Sequence, residues 1–281
     1  MSWVILGAAG FFAGHLRAAL ASEAVRAFPH AACDVTRPAE VAAAVAGAEV
    51  VVNCAGFTAV DAAEAAPDAA RQANVDGAAV VAAATARAGA LLVHLSTDFV
   101  FDGEAAPYGA AARPRPLSVY GRSKRSGELA ALAAGGRVVL VRLQALYAVD
   151  GYTFASRLAA LLRRSEPGLR LDDERLVQPT WAPLAAQQVA ALARTGRPGV
   201  YPIACAGHTT WAGFARALAA RLAVPPAFAA VPTAALATPA PRPRDCRFDP
   251  DALVAAGLDP LPAWQDGLAG YVASLGREVA P

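Results

Sequence analysis

Tyr120 and Lys124 stand four residues apart in Tyr120-Gly121-Arg122-Ser123-Lys124. On a helix that spacing puts both side chains on one face. An ammonium beside a phenol favours the phenolate and lowers the phenol's pKa. A phenol tuned in this way suits general acid–base work at a carbonyl or an alcohol. Thr97 lies upstream, in Ser96-Thr97-Asp98 after the apolar run Leu91–Leu95. A hydroxyl at the C-terminal end of a buried parallel strand faces the crevice where α/β sheets bind cofactors. Thr97, Tyr120 and Lys124 are therefore the candidate catalytic residues.

A cofactor is indicated at the first strand. Gly7-Ala8-Ala9-Gly10-Phe11-Phe12-Ala13-Gly14 follows the run Trp3–Leu6 and opens a helical stretch. Gly7 permits a tight turn, Gly10 lets a pyrophosphate approach the backbone, and the helix N-terminus adds free N–H groups and a positive dipole end. The spacing is G-x-x-G-x-x-A rather than G-x-G-x-x-G, with Ala13 at the close-packing position. Gly7, Ala9, Gly10, Phe11 and Phe12 form the candidate phosphate loop. The second strand runs into Pro29-His30, without a carboxylate to hold an adenosine ribose. That favours NADPH, with NADH as the alternative, and offers Arg17 or Arg26 to a 2′-phosphate. Arg26 reads more simply as a solvated strand-edge charge. Asp34, followed by Val35, is placed to contact the adenine or to cap the next helix.

The elements that must position these residues alternate. Strands are expected at Trp3–Leu6, Val25–Phe28, Glu49–Cys54, Leu91–Leu95 and Arg137–Leu143. Helices are expected at about Phe12–Ala21, Pro38–Ala46 (after a capping Thr36), Pro67–Ala88 and Ser118–Ala133. Continuous apolar strands separated by helices imply a parallel sheet covered on both faces, and right-handed crossovers make it a doubly wound, Rossmann-like α/β sheet. The pattern loosens after about Gly151. Helices are expected at Thr153–Arg164, Ala182–Arg194, Thr210–Leu222 and Leu261–Leu275, with short strands near Leu169–Asp172 and Val200–Ile203. Pro225–Arg244, rich in Pro and Ala, is expected to wind across the surface. The reading is a dinucleotide-binding domain over residues 1–150 and a smaller α/β, mainly substrate-binding domain over 151–281, with some segments returning to the first.

Composition excludes several classes. The 281 residues are 56% hydrophobic and 17% charged with a net charge of +2. Such a chain is not disordered and has no basic footprint for nucleic acid. It has no apolar stretch of about 18 residues or more, so no membrane span is expected. A strand begins at Trp3 with no basic segment before it, unlike a secretory signal. Cys33, Cys54, Cys205 and Cys246 form no C-x-x-C pair, which points to a reducing cytoplasm without structural zinc. His15, His30, His94 and His208 are scattered, so no metal site is expected. Asp61 and Glu64 read as a helix-start charge pair, and Asp98 and Asp102 as acceptors that fix a loop. Among the tryptophans, Trp211 and Trp264 read as core or interface residues, and Trp181 as the one placed to touch a ligand.

Longer stretches carry more than these motifs do. They are Val51-Val52-Asn53-Cys54-Ala55-Gly56-Phe57-Thr58-Ala59-Val60-Asp61, His94-Leu95-Ser96-Thr97-Asp98-Phe99-Val100-Phe101-Asp102-Gly103 and Pro116-Leu117-Ser118-Val119-Tyr120-Gly121-Arg122-Ser123-Lys124 with Gly127-Glu128. Asn74, Gln178-Pro179-Thr180, Gly199-Val200-Tyr201, Thr210-Trp211 and Arg242-Pro243 follow the same pattern. On these residues the chain resembles the dTDP-4-dehydrorhamnose reductases, sugar-nucleotide reductases of the extended short-chain dehydrogenase/reductase superfamily. The resemblance implies reduction of the C4 ketone of a dTDP-linked 4-keto-6-deoxysugar by hydride transfer from NADPH. Tyr120 would protonate the C4 oxygen, Lys124 would hold the nicotinamide ribose, and Thr97 would hydrogen-bond the carbonyl. Asn53, Cys54 and Ala55 would line the cofactor, Thr58 and Val60 would face the sugar, Asn74 would brace the site, and Arg242 would reach the diphosphate. A monomer or homodimer is expected.

The departures from the family pattern fall on the sugar wall. Phe99 stands where a tyrosine is usual and Ala145 where a tryptophan is usual. Glu174-Arg175-Leu176-Val177 and Cys246 also differ. These changes imply a sugar that is bulkier or more deoxygenated than 4-dehydrorhamnose, or 4-dehydrorhamnose itself with water or a side chain such as Phe99 or Tyr147 filling the space beside Ala145. The alternative reading is a non-catalytic nucleotide-binding regulatory protein, like the regulatory β subunit of methionine adenosyltransferase in the same family. Intact Thr97, Tyr120 and Lys124 favour the enzyme. A dehydratase would need a carboxylate pair after Thr97, and Asp98-Phe99 supplies only one carboxylate.

Overall fold

In the computed structural model, which describes residues 1–149, 153–165 and 167–275, the apolar runs become parallel strands. The first half runs β1 (Ser2–Leu6), α1 (Phe11–Ala19), β2 (Ala24–Phe28), α2 (Pro38–Val45), β3 (Val50–Asn53), α3 (Val60–Ala65), α4 (Pro67–Arg71), α5 (Gly77–Arg87), β4 (Leu91–Thr97), α6 (Val119–Ala133) and β5 (Arg137–Leu143). A π-helical turn, Gln72–Asp76, joins α4 to α5. The second half runs β6 (Leu146–Tyr147), α7 (Phe154–Arg163), β7 (Arg170–Asp172), β8 (Thr180–Trp181), α8 (Ala182–Thr195), β9 (Gly199–Ile203), β10 (Cys205–Ala206), α9 (Trp211–Leu222), β11 (Ala229–Val231), α10 (Asp251–Ala255), β12 (Leu261–Ala263) and α11 (Trp264–Leu275).

The main sheet has the order β2-β1-β3-β4-β5-β9, with every pairing parallel. Alternate side chains feed two apolar layers, as a period of two requires. Val4, Leu6, Val51 and Leu92 pack with Val41, Val45 and Val81 on one face. Trp3, Ile5, Val52 and Val93 pack with Leu16, Leu20 and Val189 on the other. The second layer continues without a break into Phe214, Trp264 and Tyr271. Segment α8–β9 therefore returns to the sheet, with α8 against α1 and β9 beside β5. The strand order reverses between β1 and β3, which opens a crevice at their C-terminal ends.

Three local expectations change. Thr36 does not cap α2: its N–H and hydroxyl both bond Asp34 Oδ1, at 2.9 and 2.8 Å, and Arg37 takes the N-cap position. The segment expected to wind across the surface contributes β11, which pairs with β7. The last helix starts at Trp264 because Leu261–Ala263 pairs with β10. Among the described residues, no helix is long and apolar enough to cross a membrane.

Candidate active site

The start of α6 is pinned twice. Ser118 Oγ accepts the Gly121 N–H at 3.0 Å, and Glu64 on α3 accepts the Val119 N–H at 2.7 Å. A carboxylate is well placed at a helix N-terminus, where free N–H groups and the dipole are positive. Asp61 stands in the first turn of α3, as expected of a helix-start charge, and binds Arg242. The helix also lies unusually close to its neighbours. A Cβ at Gly121 would run into Phe99 O, and one at Gly127 into Asn74 O. Tyr120 and Lys124 are buried at the depth this contact sets.

Lys124 Nζ donates to Leu95 O at 2.6 Å. The Tyr120 ring stands edge-on to Phe99, with centroids 5.7 Å apart. Thr97 ends β4, and its hydroxyl donates to Asp98 Oδ1 at 3.0 Å and accepts the Phe99 N–H at 3.2 Å. Burial pushes Tyr120 up to about 12, a shift that the nearby Thr97 hydroxyl opposes and the Asp98 charge reinforces. The lowering expected from Lys124 does not occur: the ammonium is not among the groups acting on the phenol, and desolvation raises it instead. Burial brings Lys124 itself down to about 8, against the pull of Glu128. Burial raises Asp98 to about 6, against hydrogen bonds from Gln144 and Thr97.

Two further contacts hold this layer. Glu128 accepts from Ser96 at 2.6 Å and from Arg142 Nε and Nη2 at 2.9 Å each, tying α6 to β4 and β5. Asn74, in the π-helical turn, accepts the Phe57 N–H at 2.8 Å and donates to Phe57 O at 3.0 Å and Ser123 Oγ at 2.9 Å. Such turns recur at functional sites.

Two cavities flank the triad. The first, of about 460 Å³, is lined by Gly7, Ala9, Gly10, His30, Asp34, Val35, Cys54 and Ala55, among others. Gly7 has φ +77° and backs onto Ala55, so close that a Cβ would lie 2.5 Å from Ala55 N. No side chain caps α1 at Gly10, which leaves its first N–H groups for an anion. The residues present fit a dinucleotide. Several expected contacts fall elsewhere. The Phe12 ring is buried in the core and Phe11 stands edge-on to His15, so neither side chain lines the cavity. Asn53 shapes the turn instead, its Oδ1 accepting the Ala55 N–H at 3.1 Å. Arg17 and Arg26 lie outside, with Arg26 donating to Ala46 O.

The second cavity, of about 470 Å³, is bordered by Val60, Asp98, Phe99, Ala145, Trp211 and Arg242, among others. Arg242 holds Asp61 through two bonds, at 2.9 and 2.7 Å. Thr97, Tyr120 and Lys124 lie between the two cavities. A Cβ on Gly56, which borders the first, would lie 3.8 Å from Lys124 Nζ, and Phe99, which borders the second, packs on Tyr120.

Comparison with known proteins decides the family, since the RmlD substrate binding domain model matches residues 1–277. The chain belongs to this family. A dTDP-4-dehydrorhamnose reductase of Streptomyces griseus is 38% identical over 292 residues, covering 99% of this chain and 96% of the relative. A dTDP-4-keto-6-deoxy-D-glucose reductase of Streptomyces niveus is 36% identical over 273 residues, covering 95% and 94%. The crystal structure of a Bacillus anthracis dTDP-4-dehydrorhamnose reductase in complex with NADP superposes with a TM-score of 0.93 at 27% identity, covering 98% of this chain and all of that one.

Within this RmlD-family fold, the sugar wall differs from the sequence reading. Thr58 is exposed and does not border the second cavity. Trp181 does not border it either: its ring packs on α11, where a Cβ at Gly270 would lie 2.5 Å from it. Trp211 takes the wall position, against Phe154 at 4.3 Å. Ala145 adopts φ +44°, and the nearby Tyr147 ring points away, to Phe214 and Tyr271 at 5.3 and 5.5 Å. The space beside Ala145 therefore opens onto the cavity. Arg170 and Arg175 border it as well. Arg175 is paired with Asp172 at 2.6 Å, whereas Arg170 has no partner among the described residues. Arg170 and Phe154 carried no signal in the sequence beyond ordinary surface residues.

Proposed function

We propose that this protein is an NADPH-dependent reductase that converts the C4 ketone of a dTDP-linked 4-keto-6-deoxysugar to an alcohol. The observation that carries the reading is a phenol, an ammonium and a hydroxyl buried between a cavity with a glycine turn and a second cavity bordered by arginines. Bound at the glycine turn, NADPH supplies the hydride. Lys124, with one proton given to Leu95 O, has two left for the nicotinamide ribose. Tyr120 gives its phenolic proton to the C4 oxygen as negative charge develops there. Its raised pKa keeps the phenol protonated at neutral pH, as a reduction requires.

The second cavity takes the nucleotide sugar. Arg170 and Arg242 face its diphosphate, and Trp211 with Phe154 provides an apolar wall. Phe99 and Ala145 leave room beside the sugar ring and offer it no hydroxyl, which favours a bulkier or more deoxygenated sugar than 4-dehydrorhamnose. The test mixes the protein with NADPH and a panel of dTDP-4-keto-6-deoxysugars. One NADPH consumed per sugar reduced is expected. Nucleotide binding without turnover on every sugar would favour the regulatory reading and reject this one.

A further inference from the structure

Arg242 lies on a segment whose two ends are held within the second half of the chain. Thr233 donates to Asp172 at 2.8 Å and to Glu174 at 2.9 Å, and Arg244 O accepts the Leu176 N–H at 2.9 Å. Between these ends, Leu236, Thr238, Arg242 and Pro243 border the second cavity. The middle of the segment is tied to α3, in the first half. Asp61 Oδ1 accepts the Ala240 N–H at 3.1 Å and Arg242 Nη1 at 2.9 Å, and Asp61 Oδ2 accepts Arg242 Nη2 at 2.7 Å. Arg242 Nη1 also donates to Ala240 O at 2.9 Å. Helix α3 is itself fixed to the catalytic helix, because its Glu64 accepts the N–H of Val119, the residue before Tyr120.

A guanidinium carries five N–H groups in one plane. Asp61 takes one from each Nη, and Ala240 O takes the second on Nη1. Nε–H and the second Nη2 proton remain, side by side on one edge of the plane, without an acceptor among the described residues. Two parallel N–H groups are the fork that matches two oxygens of a phosphate. The carboxylate therefore does not use up the arginine; it fixes which edge is left over. We propose that Asp61 is a positioning residue for the sugar nucleotide: it clamps Arg242 so that the Nε–Nη2 edge is held ready for the substrate's diphosphate. This rests on the reading of the second cavity as the nucleotide-sugar site. A carboxylate that only neutralised Arg242 would weaken anion binding, so the two roles predict effects of opposite sign when its charge is removed.

The test is dTDP binding by titration calorimetry, with kcat and KM on any 4-keto sugar that wild type turns over. Asparagine keeps the size of Asp61 but offers Arg242 one oxygen instead of two. Asp61→Asn should raise the dTDP Kd and the sugar-nucleotide KM by about tenfold, with kcat and NADPH affinity within about twofold. Its melting temperature should hold, since a half-exposed pair adds little to stability. Asp61→Glu restores the carboxylate and should recover most of the loss. Arg242→Ala should match Asp61→Asn, and the double variant should bind dTDP no more weakly than Arg242→Ala alone, because the carboxylate acts through the arginine. Unchanged or tighter dTDP binding in Asp61→Asn, or losses that add in the double variant, would overturn the clamp. A wild type that binds dTDP with this pattern and reduces no 4-keto sugar would support the clamp and overturn the reductase reading alone.

Discussion

The floor of the site and its outer wall are held by different means. Beneath Tyr120 and Lys124, Glu128 is fully buried and accepts from Ser96, Arg125 and Arg142, each within 2.9 Å. Around the second cavity the Arg175–Asp172 pair is buried as well, but other charges are wetter. The Arg242 and Asp61 side chains keep 17% and 41% of their surface, and Arg170 is exposed without a partner among the described residues. A buried charge cannot move without abandoning its partners, whereas a half-exposed pair trades with water at little cost. The floor therefore holds the reacting groups in one geometry, and the wall is free to change with the ligand. The residues that depart from the family pattern, Phe99 and Ala145, sit on the wall, while Thr97, Tyr120 and Lys124 belong to the floor.

Glu128→Leu strikes the floor and should have the largest effect. It leaves Arg142 buried and without its carboxylate, and the Arg142 Nη1 atom already lacks a hydrogen-bond partner among the described residues. Losing one member of a buried pair typically costs about 3–5 kcal/mol, which denaturant melts would read. A loss below about 1 kcal/mol would mean that the floor is no firmer than the wall. Next is Tyr120→Phe, expected to lower kcat by about 100-fold or more with NADPH affinity unchanged by titration calorimetry. A near-native rate would remove Tyr120 from the chemistry.

The wall substitutions should act on substrate alone. Arg170→Ala deletes a cation facing the diphosphate and should raise the sugar-nucleotide KM by about tenfold, since hydrogen bonds to charged groups contribute about 1.5–3 kcal/mol. Melting temperature and kcat should hold; a fall in kcat would move Arg170 from the wall to the chemistry. Ala145→Trp is the smallest change. By filling part of the cavity it should lower kcat/KM for a bulky 4-keto sugar, relative to a small one, by about three- to tenfold. An unchanged ratio would show that the space beside Ala145 is not part of the sugar site.

The sequence made the floor legible because its signals are local. β3, β4 and β5 are buried on both faces, so they read as continuous apolar runs and lie within two residues of their expected ends. Tyr120 and Lys124 share a helix face by spacing alone. The wall was harder to read because distant segments build it. Asp61 meets Arg242 across 181 positions, and Gln144 meets Cys246 across 102. Trp181 and Trp211 look alike in sequence, and only the packing of Gly270 against Trp181 turns that ring away from the cavity. β11 is three residues long in a Pro-rich stretch, and its pairing with β7 alone makes it a strand. The Tyr120 phenol escaped for another reason: spacing shows that Lys124 is near but not how deeply both are buried.

The central claim is hydride delivery to C4 of a nucleotide-linked keto sugar. NADPH carrying deuterium at its transferable position, incubated with the protein and a dTDP-4-keto-6-deoxysugar, tests it directly. Mass spectrometry and NMR of the product should find a single deuterium on the sugar, bonded to C4. Cofactor oxidised without deuterium in the sugar, or deuterium on any other carbon, would contradict it.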